Sequence, residues 1–86
     1  MAKKIVRVNW IDISFVDDDL SMYEAEKLKP LSMITYGVVM KDDDASLNVS
    51  STVCLEEEGR DNVYRGTVAI PRANVIGVTE LGEEEA

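Results

Sequence analysis

The chain has 86 residues, of which 45% are hydrophobic and 30% charged, with a formal net charge of −8 and no histidine. That length provides one domain with one small core, and the apolar content excludes a disordered chain. The acidity argues against broad contact with a phosphate backbone.

Residues 4–16 read as a long first strand. Val6, Val8 and Trp10 share one parity, and then Ile11, Ile13 and Phe15 share the other. Successive strand residues reverse face, so a one-residue phase change predicts a bulge or corner near Trp10-Ile11. Asp17-Asp18-Asp19 ends the strand. Ser21 followed by Glu24 has the spacing of a capping box, which opens a short helix over residues 22–29 that Pro30 stops. At about two turns the helix has no independent stability, so it is expected to decorate or plug the sheet.

Residues 31–41 carry apolar side chains at both parities, the pattern of a central, well-covered strand. Gly37 inside it predicts a bend or a close backbone approach. After the Asp42-Asp43-Asp44 turn, Ala45, Leu47, Val49, Val53 and Leu55 alternate with polar residues, the mark of a half-buried third strand. A polar loop over 56–62 leads to a fourth strand at 63–70, in which Gly66 predicts a kink. Pro71-Arg72-Ala73-Asn74 predicts a tight turn of 3₁₀ type, and 75–81 a short closing strand. The expected architecture is mainly β: a small, strongly bent, five-stranded antiparallel barrel, with one short helix between its first two strands. Closure hides sheet edges. Residues 1–81 form the expected single domain and 82–86 an acidic, frayed tail.

The segment from Ile70 to Val78 resembles the closing segment of Sm-like barrels, where an apolar residue, an arginine, a small residue and an asparagine precede a short strand. Asp44 through Asn48 is similar to the Sm-like pattern of Asp, two residues, an apolar residue and Asn. The order of elements resembles small barrels of the Sm-like or Src-homology-like kind. Three departures stand out: a helix-bearing insertion separates the first two strands, Ala73 occupies a glycine position, and Leu47 supplies no aromatic face before Asn48 for stacking a base. Over residues 5–81 the chain also resembles small uncharacterised bacteriophage proteins, through Trp10-Ile11-Asp12, Pro30-Leu31, Thr35 to Val39, the acidic turn and Ile70-Pro71-Arg72. That resemblance implies a phage protein made in the host cytoplasm and implies no activity. Carried over residue by residue, the Sm-like resemblance makes Asp44, Asn48, Arg72 and Asn74 the candidate nucleic-acid-binding residues.

Twelve of the seventeen acidic residues fall in four triplets, Asp17-Asp18-Asp19, Asp42-Asp43-Asp44, Glu56-Glu57-Glu58 and Glu83-Glu84-Glu85. All lie in expected turns or the tail, where they solvate the connections and oppose association. Carboxylates suit Ca²⁺ or Mg²⁺, but the Asp42 run lacks the calcium-loop pattern, with Leu47 at the glycine position and Val53 at the closing glutamate position. A basic partner is the other use for such charge. No metal or cofactor is expected.

Catalytic residues are not expected either. Without histidine the Ser-His and Cys-His nucleophile pairs are excluded. Cys54 has Glu56-Glu57-Glu58 nearby in sequence, which disfavours a thiolate, and as the lone cysteine it forms no internal disulfide. No apolar run approaches the ~20 residues of a membrane-spanning helix, and no signal-peptide segment follows Lys3-Lys4. The expected location is therefore the cytoplasm, with no membrane partner. Trp10, Tyr36 and Tyr64 are the candidate protein-contact residues. The expected function is a non-catalytic protein-interaction module, a phage accessory protein binding a host or phage protein. Self-association is expected too, because so small a barrel gains burial at a subunit interface. An Sm-like oligomeric RNA-binding protein is the alternative, disfavoured by charge.

Overall fold

Alternation in the sequence sets the inner face. The computed structural model describes residues 3–55 and 61–84. It contains β1 (Lys3–Asp12), α1 (Met22–Glu26), β2 (Leu31–Asp42), β3 (Ser46–Cys54), β4 (Val63–Pro71), a 3₁₀ turn (Arg72–Asn74) and β5 (Val75–Glu84). The strands form one antiparallel sheet in the order β4-β3-β2-β1-β5. Val6, Val8 and Trp10 point inward from β1 and meet Leu47 and Val49 of β3 and Ile70 of β4, with Val39, Val68 and Val75 packed against them. Each fully buried aliphatic side chain of this kind contributes about 1.5–3 kcal/mol.

Of the two expectations for Gly37, the structure shows the close backbone approach, to β3. A Cβ there would run into the Ser50 carbonyl oxygen and lie 2.6 Å from Val49 Cγ1, so only glycine lets β3 pass this close. Beyond Gly37, Met40 is an extra residue between the Val39–Val49 and Lys41–Asn48 rungs, a bulge that adds twist. Gly66, facing Ser51, takes a φ of 66°, which any side chain would resist.

The expected barrel does not close. Among the described residues β4 and β5 share no strand pairing, and the sheet keeps two open edges. The physical reason lies in β5. Against β1 it carries two extra residues, Ile76 between the Asn9–Gly77 and Trp10–Val75 rungs and Leu81 between Ile5–Gly82 and Val6–Glu80. Two bulges in one edge strand break the regular repeat that a second ladder requires. The edges come within side-chain reach, where the Tyr64 hydroxyl donates to Glu84 Oε2 at 3.3 Å.

Several local expectations are corrected. β1 stops at Asp12, so 13–16 are not strand, and the irregularity at Trp10 is a bulge of β5, while the β1–β2 pairing runs unbroken to Asp12–Leu31. The capping box is present: Glu24 N donates to Ser21 Oγ at 3.1 Å and Ser21 N to Glu24 Oε1 at 3.4 Å. However, α1 is only five residues long and buries none of them, so it neither decorates nor plugs the sheet. β2 is central in the sheet order but poorly covered, since Leu31, Met33, Ile34 and Tyr36 are exposed. Gly82, Glu83 and Glu84 belong to β5, with Glu84 opposite Lys3 and Glu83 opposite Lys4, so opposite charges extend the strand three residues past its expected end. Glu56 to Arg60 and the last two residues of the tail lie outside the described residues.

Candidate interaction surface

The four residues singled out for nucleic acid do not all leave their polar groups free. The Arg72 guanidinium is held by Asp42, Nη1 to Oδ1 at 2.9 Å, and its amide donates to the Ala45 carbonyl. Asn74 Nδ2 donates to the Ile11 carbonyl at 2.9 Å, which ties the 3₁₀ turn to β1. Asn48 lies between Lys41 and Ala69 in the sheet, with its Oδ1 enclosed and unpartnered. Asp44 is exposed, and the structural work of its turn is done by Asp43, whose Oδ1 accepts from the Ala45 and Ser46 amides at 2.9 Å each. The Ser46 amide, then the Lys41 ammonium, then the Ala45 amide hold the Asp43 carboxyl below the usual carboxylate range.

Nor do the three aromatic residues form one patch. Trp10 is core, with its Nε1 donating to Thr35 Oγ1 at 2.9 Å, so it offers no contact anchor. Tyr36 is exposed, opposite Arg7 on the other face of the sheet. Tyr64 is half-buried on β4 opposite Val53. Loss of water around its hydroxyl, then the charge of Glu84, pushes its ionisation up.

Two features emerge that the residue pattern did not single out. One is a cavity of about 370 Å³ inside the curl, floored by Val6, Val39, Leu47 and Val78 and rimmed by Asp42 and the Lys4–Glu80 ion pair (3.7 Å). The other is the insertion between β1 and β2. Ile13, Phe15, Met22 and Tyr23 are each at least 66% exposed, and Val16 and Leu28 are exposed as well. Lys27 Nζ lies 4.2 Å from the centre of the Tyr23 ring. This arm, residues 13–30, carries more large apolar surface than a five-residue helix could bury. The mismatch between its length and its apolar content was the available signal. Ile13 and Phe15 mask that signal, because they continue the alternation of the first strand.

The molecule is elongated and exposes much of its surface. The radius of gyration is 16.9 Å and the long axis 59 Å, against about 12 Å for the radius of a compact domain of this length. The accessible area is 6652 Å², where a folded monomer of this mass is expected to expose about 5,100 Å².

Among the described residues, no group of three His, Cys, Asp or Glu side chains is placed to hold a metal ion, and no helix is long and apolar enough to cross a membrane. Compared with protein-family models, with curated proteins and with solved structures, the chain finds no match in any of the three. Fold and surface together define an open, curled, mainly-β sheet bearing an apolar arm.

Proposed function

We propose that the chain is a non-catalytic protein-interaction module that docks through the 13–30 arm. One observation carries the reading: four large apolar side chains of the arm, Ile13, Phe15, Met22 and Tyr23, are exposed together on a segment that buries almost nothing against its own sheet. Apolar surface of this amount, concentrated on one short segment, is what a contact site offers. In fold, we read the sheet as kin to the Sm-like and Src-homology-like small barrels, unzipped along the β4–β5 seam. The curl and the 3₁₀ turn before the last strand support that kinship. On the resemblance over residues 5–81, the module is phage-encoded and acts in the bacterial cytoplasm on a host or phage protein, with self-association open to it.

RNA binding is the weaker reading. Arg72 and Asn74 are both engaged within the fold, and a charge of −8 repels a phosphate backbone.

The test is affinity capture with the wild-type chain and with a Phe15→Ser/Met22→Ser/Tyr23→Ser bait. Untagged copies of the chain are included among the species offered. The reading predicts at least one species held by the wild type and lost by the variant. Identical capture by both baits contradicts it.

A further inference from the structure

We propose that the arm is a self-association element, pairing antiparallel with the arm of a second copy about a two-fold axis near Tyr23. The inference rests on the reading of the arm as a contact surface and names its occupant.

The order of charges along the arm selects the pairing. Asp17-Asp18-Asp19 precedes the apolar centre at Met22-Tyr23, and Lys27 and Lys29 follow it. Asp19 and Lys27 each lie four residues from Tyr23, and Asp17 and Lys29 each lie six. In chain order an antiparallel pair therefore brings each acidic run to the same side as the partner copy's lysines, whereas a parallel pair sets like against like. Complementarity of this kind fixes register and orientation. It also places Met22 and Tyr23 at the middle of the contact, where the energetically dominant side chains of interfaces cluster.

The area is of the right size. The six large apolar residues of the arm together expose at most roughly 700 Å², against the ~800 Å² per partner of a standard interface. The whole chain exposes roughly 1,500 Å² more than a monomer of its mass should, so it lacks burial even before any foreign protein is considered. A second copy is the one partner present wherever the chain is made.

Two other occupants fit less well. The arm's own net charge is negative, with Asp17, Asp18, Asp19, Glu24 and Glu26 against Lys27 and Lys29, which opposes an anionic lipid surface. A foreign groove would have to carry its own matched order of basic and acidic groups, which a second copy supplies by symmetry.

Sedimentation equilibrium of the full chain over a concentration series tests the inference. The wild type is expected to dimerise, and Met22→Ser/Tyr23→Ser to weaken dimerisation by about 100-fold or more. Both residues are exposed, so the variant keeps its sheet, which circular dichroism checks. Lys27→Asp/Lys29→Asp alone, or Asp17→Lys/Asp19→Lys alone, should weaken the dimer by about 5–10-fold. All four changes together should restore it to within about 3-fold of wild type. A dimer indifferent to the arm changes, or one that the fourfold exchange fails to rescue, overturns the proposal. So does a wild type that stays monomeric. If that monomer still captures another protein through the arm, the interaction reading survives; if the arm is silent in both assays, both readings fall.

Discussion

Gly37→Ala removes nothing and adds one methyl group, yet it should be among the most damaging single changes in the sheet. The new Cβ would collide with the Ser50 carbonyl oxygen and sit 2.6 Å from Val49 Cγ1. A backbone oxygen cannot rotate away, so β2 and β3 must separate at the Val38–Ser50 and Val39–Val49 rungs. Forcing a methyl group into a packed site costs about 1–3 kcal/mol, and a weakened rung hydrogen bond about 1 kcal/mol more. The expected loss is about 2–4 kcal/mol, a large fraction of the ~4–13 kcal/mol typical for this length. In urea, with a slope near 1 kcal/mol per molar for so small a domain, the midpoint should fall by about 2 M or more. Gly77→Ala is the internal control, since a Cβ there meets nothing within 4 Å. It should be neutral or gain about 0.4–1 kcal/mol from a stiffer unfolded chain. Both variants and the wild type must be compared at one protein concentration, because association shifts the midpoint. Equal midpoints for Gly37→Ala and Gly77→Ala would refute the close approach of β3 to Gly37.

Leu47→Ala, which empties a fully buried position opposite Ile70, should cost about 2–5 kcal/mol in the same titration. The Asp43 carboxyl ionises below its ordinary range in the folded chain. Its contribution is therefore complete above the unfolded carboxylate value of about 4 and is lost as pH falls through the lower folded value. The melting-temperature difference between wild type and Asp43→Ala should accordingly shrink in acid. Tyr64 ionises above its ordinary value, so its contribution holds below about pH 10 and is lost as pH rises through the higher folded value; Tyr64→Phe should flatten that alkaline loss. Arg72→Ala breaks an exposed ion pair with Asp42, so it should cost no more than about 1 kcal/mol and leave any RNA binding unchanged.

Most of the sheet was legible because strand alternation is a local property. Val6, Val8 and Trp10 at one parity, and Leu47 and Val49 at another, mark the buried face without reference to the rest of the chain. Gly37 and the capping box were legible for the same reason, since each follows from stereochemistry within a few residues. Closure was not. Whether β4 and β5 join depends on the bulges at Ile76 and Leu81, and these exist only relative to the register of β1. The site was the least legible part. The Sm-like resemblance directed attention to Arg72 and Asn74, which the structure engages with Asp42 and the Ile11 carbonyl. Ile13 and Phe15 look like core in a sequence read as strand, and they become surface once β1 ends at Asp12.

The account depends on the arm being covered in the working protein. Hydrogen–deuterium exchange of the full chain, followed peptide by peptide at low and at high protein concentration, tests this most directly. It predicts protection that rises with concentration over residues 13–30 while the core of β1 and β3 stays unchanged. Exchange over the arm that is fast and identical at both concentrations, and that no captured protein slows, would contradict it.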